Sequence, residues 1–338
     1  ETLFTSDHSS DTKYGQYTPA ASGGPAQNLT PWFNRWNYPS LANINSYVSG
    51  GKLTNANAGP TMMTRDVANG RPYIRIRPNN YVWPSGANAG KNYLFDEAFS
   101  DRVNDSRYDK TFQTVWIANT ANVSNTAGAA NNSRGIAYSM TVGSDTAVWM
   151  PDHEVTGAPQ FNGAVPFKGI IIPPSLWSNS YYPAVKKFDD LSRTGVNDPS
   201  TRPVVIFRFS DVYLIAAEAA FKTGDLNNAA AMLNVVRQRA AYRSTNNSAQ
   251  NAAAVAAVTI QSSDVTLDFI LDERSREFYG EWQRWWDLVR TKSLVARVTV
   301  WNPEAAQYIQ PFHALRPIPQ QEIDLVTEGP AFPQNPGY

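Results

Sequence analysis

The sequence predicts a mostly α protein, a helical-repeat core with long loop excursions and short extended segments. Three observations lead there. Two adjoining stretches, RFSDVYLIAAEAAFK at 208–222 and the run from Asp225 to about 241, carry apolar residues at helical spacing and meet at a Gly-Asp turn. A third run, apolar and charged, reaches from near Asp264 to Arg290. The first 203 residues are instead dense in Gly, Pro, Asn and Ser.

Bulk properties set outer bounds. A chain of 338 residues is long enough for two domains or one large one. The change of texture near 204 divides it into a loop-rich ligand-binding region, 1–203, and a helical region with a wrapping tail, 204–338; the expectation is one compact unit lacking an N-terminal half. Lys plus Arg and Asp plus Glu are 29 each, so no nucleic acid or anionic surface is called for. Without cysteine there is no disulfide, thiolate nucleophile or Cys-ligated zinc. The longest apolar candidate, GIIIPP at 169–174, is too short to span a bilayer. ETLFTSDHSS lacks the pattern of a signal peptide, so any export signal or lipid anchor is expected outside this chain. With 17% charged residues, 29 Asn and 12% aromatics, the composition suits neutral, hydroxylated ligands.

The elements follow in order. Residues 1–60 read as ordered loops, with an aromatic knot, LTPWFNRWNYPS at 29–40, and a short helix near 40–48. RPYIRIRPNNYVW at 71–83 alternates like an extended segment, and the basic residues of its RIR (75–77) are expected to pair with acids. Residues 93–112 predict a helix and then a turn at Asn104-Asp105. Residues 118–135 read as a mobile loop, and 151–203 as Pro-rich loops. The 208–222 stretch is apolar nearly all round and predicts a buried helix. Gly224 suits a position just past its end, and Asp225 a cap for the next helix. There Leu226, Ala229, Met232, Leu233, Val236 and Ala240 share a face, and the pair has the length of one tetratricopeptide (TPR) repeat. Segment 244–263 reads as a flexible insertion, in which 252–258 can form a short helix. Residues 311–338 predict an extended tail over the helices.

The run LDERSREFYGEWQRWWDLVR at 271–290 poses the sharpest choice. Glu273, Glu277 and Glu281 recur at one-turn spacing beside three tryptophans, as carboxylates and aromatics do in a glycosidase. On a continuous helix Leu271, Phe278, Trp282, Trp285 and Val289 form a core stripe, widened by Trp286 and Tyr279. Arg276, Arg274 and Arg284 sit three residues from Glu273, Glu277 and Glu281, a spacing for ion pairs. Arginines lower a carboxyl pKa, whereas an acid catalyst needs it raised. Hydrolysis also needs two carboxyls facing across a bond, about 5–10 Å apart. The reading is a structural ladder with no catalytic residue. His8, His153 and His313 are scattered, and the acids Asp96, Glu97, Asp101, Asp105 and Asp109 lack the calcium-loop pattern, so no metal or other cofactor is expected.

ERSREFYGEWQRWWDLVR resembles the signature helix of the SusD/RagB-like outer-membrane nutrient-binding lipoproteins. The helix pair RFSDVYLIAAEAAFKTGDLNNAAAMLNVVRQRA and the tail LRPIP…QNPGY (315–319 and 334–338) are also similar to that family. GRPYIRIRPNNY, NDSRYDKTFQTVW and YYPAVKKFDD look like its middle blocks. The resemblance implies a TPR-containing, non-catalytic binder of oligosaccharide or polysaccharide. Such a protein is lipid-anchored at the cell surface of Bacteroidota and partners a SusC-like TonB-dependent transporter in the outer membrane. Alternatives are a peptide-binding relative on the same scaffold, a structural TPR adaptor, and a glycoside hydrolase. The chain departs from the family in having one helix pair and no Cys, which implies that an N-terminal half lies outside it.

A sugar site needs flat rings for the C–H face of a pyranose and planar polar groups for its hydroxyls. The knot supplies Trp32, Phe33, Asn34, Arg35, Trp36 and Tyr38, which serve equally well as a plug beneath the loop. Tyr81 and Trp83, beside Asn79 and Asn80, are a second candidate; Trp149 and Trp177 rank lower.

Overall fold

Apolar spacing at 208–240 folds as a helical hairpin. The computed structural model describes residues 2–6, 28–39, 44–48, 52–56, 63–79, 92–120, 141–155 and 169–338. The chain divides into two units, Glu1–Asn80 with Phe99–Ile270 and Tyr81–Ala98 with Leu271–Tyr338.

In the first unit, nine short strands precede or flank the helices among the described residues. β1 (Thr2–Ser6) pairs antiparallel with β9 (Val204–Arg208), and β2 (Ile44–Val48) with β3 (Lys52–Ala56). The helix expected near 40–48 is therefore a hairpin strand; Ile44, Tyr47 and Val48 are β-branched or aromatic, which favours the extended form. After α1 (Arg107–Thr111), β4 (Phe112–Gln113) pairs with β8 (Ala184–Val185). β5 (Val115–Ile117), β6 (Thr146–Trp149) and β7 (Ile170–Ile171) make a three-stranded sheet with β6 and β7 parallel. Trp36, Tyr38, Met63, Trp116, Val148, Ile170 and Tyr182 form the core around that sheet.

α2 (Phe209–Lys222) leads through Gly224, at φ +82°, to α3 (Leu226–Ala240), whose first turn is capped by the Asp225 carboxylate accepting from the Asn228 amide. Leu214, Ala217, Ala229, Leu233 and Val236 are buried between them or beneath them. α2 is not buried all round, because Phe209 and Ile215 are exposed. The loop before α1 docks on the end of α3: Ser106 Oγ donates to the Ala240 carbonyl at 2.6 Å, and Arg243 pairs with Asp109. The supposed flexible insertion holds α4 (Ser248–Val258), fixed by a reciprocal capping box between Asn247 and Gln250. Ala241, Ala254 and Val258 pack together there. Residues 121–140, within which most of the expected mobile loop falls, lie outside the described residues.

The second unit opens with a π-helical turn, Tyr93–Ala98, in place of a regular helix. The long helix expected over 264–290 is two: α5 (Leu267–Glu277) and α6 (Arg284–Arg290). Gly280 and Trp282, at φ +76° and +65°, break the path between them. Both halves are tied by ions, as Arg274 Nε donates to Asp287 at 2.7 Å and Arg276 to Glu273 at 2.7 Å. Arg284 turns from Glu281 and donates instead to the Leu271 carbonyl and the Tyr93 hydroxyl. α7 (Leu294–Trp301), α8 (Pro303–Ala306) and α9 (Gln320–Asp324) complete the unit. The tail folds back on itself: the Gln334 amide brackets both backbone groups of Ile318, and Tyr338 donates to the Leu315 carbonyl.

Candidate functional site

The aromatic knot begins as a short 3-10 turn, Thr30–Trp32, pre-set by Pro31. Asn28 holds its start: the Asn28 side chain accepts from the Thr30 amide, and its carbonyl accepts from the Ser200 amide. Beyond it the chain dives. Asn34, Arg35, Trp36 and Tyr38 are all buried, three of them with no exposed surface at all (0%). Arg35 donates to the Asn69 and Val185 carbonyls and pairs with Asp189. Burial depresses the Arg35 guanidinium and raises the Asp189 carboxyl against their mutual attraction. Burial likewise pushes the Tyr38 and Tyr182 phenols up to about 12. These residues build the floor of the knot and offer no face to a ligand. Trp36 packs edge-on against Trp116 at 5.3 Å.

Trp32 is different. Its ring is half-buried, and its Nε1 donates to the Asp198 carbonyl at 3.0 Å, which fixes its orientation. Residues 71–77 run alongside as irregular chain, tightly turned where the Tyr73 amide donates to the Arg71 carbonyl and Ile74 sits at φ +53°: the amides of Arg75 and Ile76 donate to the Phe33 carbonyl, and that of Ile74 to the Arg35 carbonyl. That turn gathers the side chains of Arg71, Tyr73 and Arg75. Tyr73, 37% exposed, meets Trp32 edge-on at 6.3 Å and Phe33 at 6.0 Å. The Arg71 guanidinium lies 4.0 Å from the Trp32 centroid and 4.6 Å from that of Tyr73, and Arg75 lies 4.5 Å from Tyr73. Burial, then the charge of Arg65, depresses the Arg71 guanidinium. Arg65 itself is exposed and donates to the Asn197 side chain at 2.6 Å.

Of the knot residues expected to bind, then, Trp32 and Phe33 stay half-buried at the surface while Asn34, Arg35, Trp36 and Tyr38 do not, and Asn79 is exposed. Tyr81, Trp83 and Asn80 lie outside the described residues. Trp149 and Trp177 are half-buried; Trp177 packs on the sheet core and donates to the Ile172 carbonyl, and Trp149 packs on Ile171. Arg71 and Tyr73 are the residues that sequence reasoning passed over, because the turn at Arg71–Ile74 that gathers them with Arg75 is not visible in the alternating pattern. Arg75 was expected to pair with an acid, and stacks on Tyr73 instead.

In the other unit, Glu273 and Glu277 are buried, 0% and 3% exposed, and Glu273 is ion-paired. Trp282 and Trp286, expected in the core, are 70% and 65% exposed because the helix breaks before them. Asp101 binds the amide of Asn104, Asp105 pairs with Arg107, Asp109 with Arg243, and Asp96 accepts from the Asn92 amide. Each of these carboxylates is held by its own neighbourhood.

The chain has relatives among known proteins. A sequence model of the SusD family matches residues 1–338. SusD-like protein P38 of Formosa agariphila is 35% identical over 92 residues, covering 27% of this chain and 18% of that protein. SusD-like protein P25 of the same organism is 32% identical over 126 residues, covering 36% and 22%. The chain thus matches only about a fifth of those relatives' own length. Among solved structures, a SusD superfamily protein of Bacteroides thetaiotaomicron is 30% identical, with a TM-score of 0.34, over 47% of this chain and 32% of that one. One from Bacteroides vulgatus is 19% identical, with a TM-score of 0.31, over 44% and 32%.

Proposed function

Because the chain belongs to the SusD family, whose members are generally nutrient-binding proteins, we propose that it binds an oligosaccharide or polysaccharide at the cell surface and hands it to a SusC-like TonB-dependent transporter. The observation that carries this reading is the open edge formed by Trp32 and Tyr73. Two rings set at 69° to each other, each steadied by neighbours, present apolar surface with N–H donors at its margin. That is the chemistry a pyranose needs, with C–H groups on its faces and hydroxyls around its rim. The proposed location is the outer membrane, facing the cell surface and held there by a lipid anchor. No helix among the described residues is long and apolar enough to cross a membrane.

The role is binding without turnover. A general acid would need a carboxyl of raised pKa facing a partner carboxyl across a cleft. Glu273 and Glu277 are instead buried, and Glu273 holds Arg276.

Titration calorimetry of this chain against a panel of polysaccharides and peptides, with reducing ends assayed in the same samples, tests the reading. Saturable glycan binding without new reducing ends is the expected result. Trp32→Ala should then weaken binding about tenfold, the scale of losing one aromatic anchor. Release of reducing ends, or binding confined to peptides, would overturn it.

A further inference from the structure

Among the described residues, the arginines beside Trp32 differ from most others, and share their disposition with Arg316, which rests on the Trp285 ring. Arg35, Arg102, Arg107, Arg243, Arg274, Arg276, Arg290 and Arg297 each hold a carboxylate within salt-bridge distance. Arg71 and Arg75 hold none among the described residues, and their guanidinium groups make no hydrogen bond there; both rest on aromatic rings. Arg65, close enough to bear on Arg71, donates among the described residues to the neutral Asn197 amide alone.

The acids nearby are already committed. Asp66 accepts from the Asn69 amide and from the Asn69 and Asn119 side chains. The Asp198 carboxylate accepts from Thr194 and the Gly195 amide. Asp190 is taken by Ser192 and Ser200. Within 63–79 the chain carries Arg65, Arg71, Arg75 and Arg77 against Asp66 alone, a local excess of three positive charges in a chain whose net charge is zero.

Stacking leaves these groups armed. A guanidinium over a ring is attracted through its face, while its N–H donors point outward in its own plane. That edge matches a carboxylate or sulfate, which it can grip with two parallel bonds. The adjoining rings would take the apolar face of the sugar that bears the anion. We propose that the Trp32–Arg71–Tyr73–Arg75 ladder is an anionic-saccharide subsite, reading the carboxylate or sulfate of an acidic glycan. This rests on the glycan-binding reading above and narrows it from neutral to acidic ligands.

The test is calorimetry of this chain with four probes: neutral gluco-oligosaccharides, oligogalacturonate, sulfated galacto-oligosaccharides and poly-glutamate. The variants are Arg71→Gln with Arg75→Gln, Arg71→Lys alone, and Lys222→Gln as a charge control on α2. Tighter binding of one acidic oligosaccharide is expected, and which of the two binds identifies the anion. The double variant should lose about tenfold or more of that affinity, as two charge-assisted contacts imply. Arg71→Lys should lose part of it despite keeping the charge, and Lys222→Gln none. Matching circular dichroism spectra and melting curves would show that the variants fold. Binding of neutral glycans only, or acidic binding untouched by the double variant, overturns the anionic subsite and leaves the glycan reading standing. Poly-glutamate bound as tightly through the same arginines overturns it as a saccharide site. No glycan bound at all overturns both.

Discussion

Trp32 and Trp36 stand four residues apart in one short segment and have opposite fates. Their neighbours decide which: Trp36 is enclosed by Tyr38, Trp116 and Tyr181, whereas Trp32 has Arg71 over it and its Nε1 turned to the Asp198 carbonyl. Trp36→Ala should therefore cost about 3–5 kcal/mol of stability, the range for emptying an aromatic site in a packed core. Trp32→Ala should change stability far less and act on ligand affinity. Urea denaturation of the two variants side by side checks this; equal destabilisation would contradict the division into floor and surface. The sequence showed that the knot was aromatic and polar, but not which rings faced outward. In a segment without regular periodicity, burial is set by partners distant in the chain, here residues 116, 148 and 182. Arg35 illustrates the same limit, since its partner Asp189 lies 154 positions away.

At the scale of elements, local signals served well where they were self-contained. Gly224 and Asp225 end one helix and cap the next as their chemistry requires. The capping box of α4 was equally present in the sequence, as Asn247 and Gln250, but an Asn/Ser/Ala-rich composition masked it. The run 264–290 failed for another reason. A helical wheel assumes unbroken periodicity, and a left-handed residue at Gly280 and another at Trp282 reset the phase. What then holds α6 to α5 is Asp287, 3% exposed, which accepts from Arg274 Nε at 2.7 Å and from Arg290 at 2.8 Å. Asp287→Asn would leave Arg274, itself 5% exposed, without that anion in a dry setting. A loss of about 3–5 kcal/mol is expected, as for other buried pairs deprived of one partner. Chemical denaturation followed by tryptophan fluorescence reports it, since Trp282, Trp285 and Trp286 lie beside the joint; a loss under about 1 kcal/mol would show a surface-like pair.

Across the whole molecule, amides and hydroxyls perform work that charge performs elsewhere. Asn119 brackets both backbone groups of Thr64, Asn234 those of Ile260, Asn251 those of Arg243 and Gln334 those of Ile318. Each side chain substitutes for a strand neighbour, so irregular chain is held without sheet. The Asn-rich composition was read as polar surface, and in these places it is internal bracing. Asp190 extends the same logic to a charge. It accepts from the Ser192 amide at 3.0 Å, Ser192 Oγ at 2.6 Å and Ser200 Oγ at 2.7 Å. Burial alone would raise its pKa, but the hydrogen bonds from Ser192 and Ser200 outweigh it and hold the carboxyl below its ordinary 3.8. The sign follows from proton binding: a depressed folded pKa means the unfolded chain takes up the proton first. The stabilisation is therefore complete above the ordinary value and is lost as pH falls through the lower, folded one. Ser200 also donates its amide to the Asn28 carbonyl, so the network reaches the turn that carries Trp32. Ser200→Ala should cost about 1.5–3 kcal/mol at pH 7, the worth of a hydrogen bond to a charged group. The cost should shrink when the carboxyl is protonated, so wild type and variant should converge in stability as the solution is acidified below the folded pKa. Urea titrations at a series of pH values measure that convergence. A difference that stays constant from neutral to acid would mean that Ser200 supports the loop by packing and not by holding the charge of Asp190.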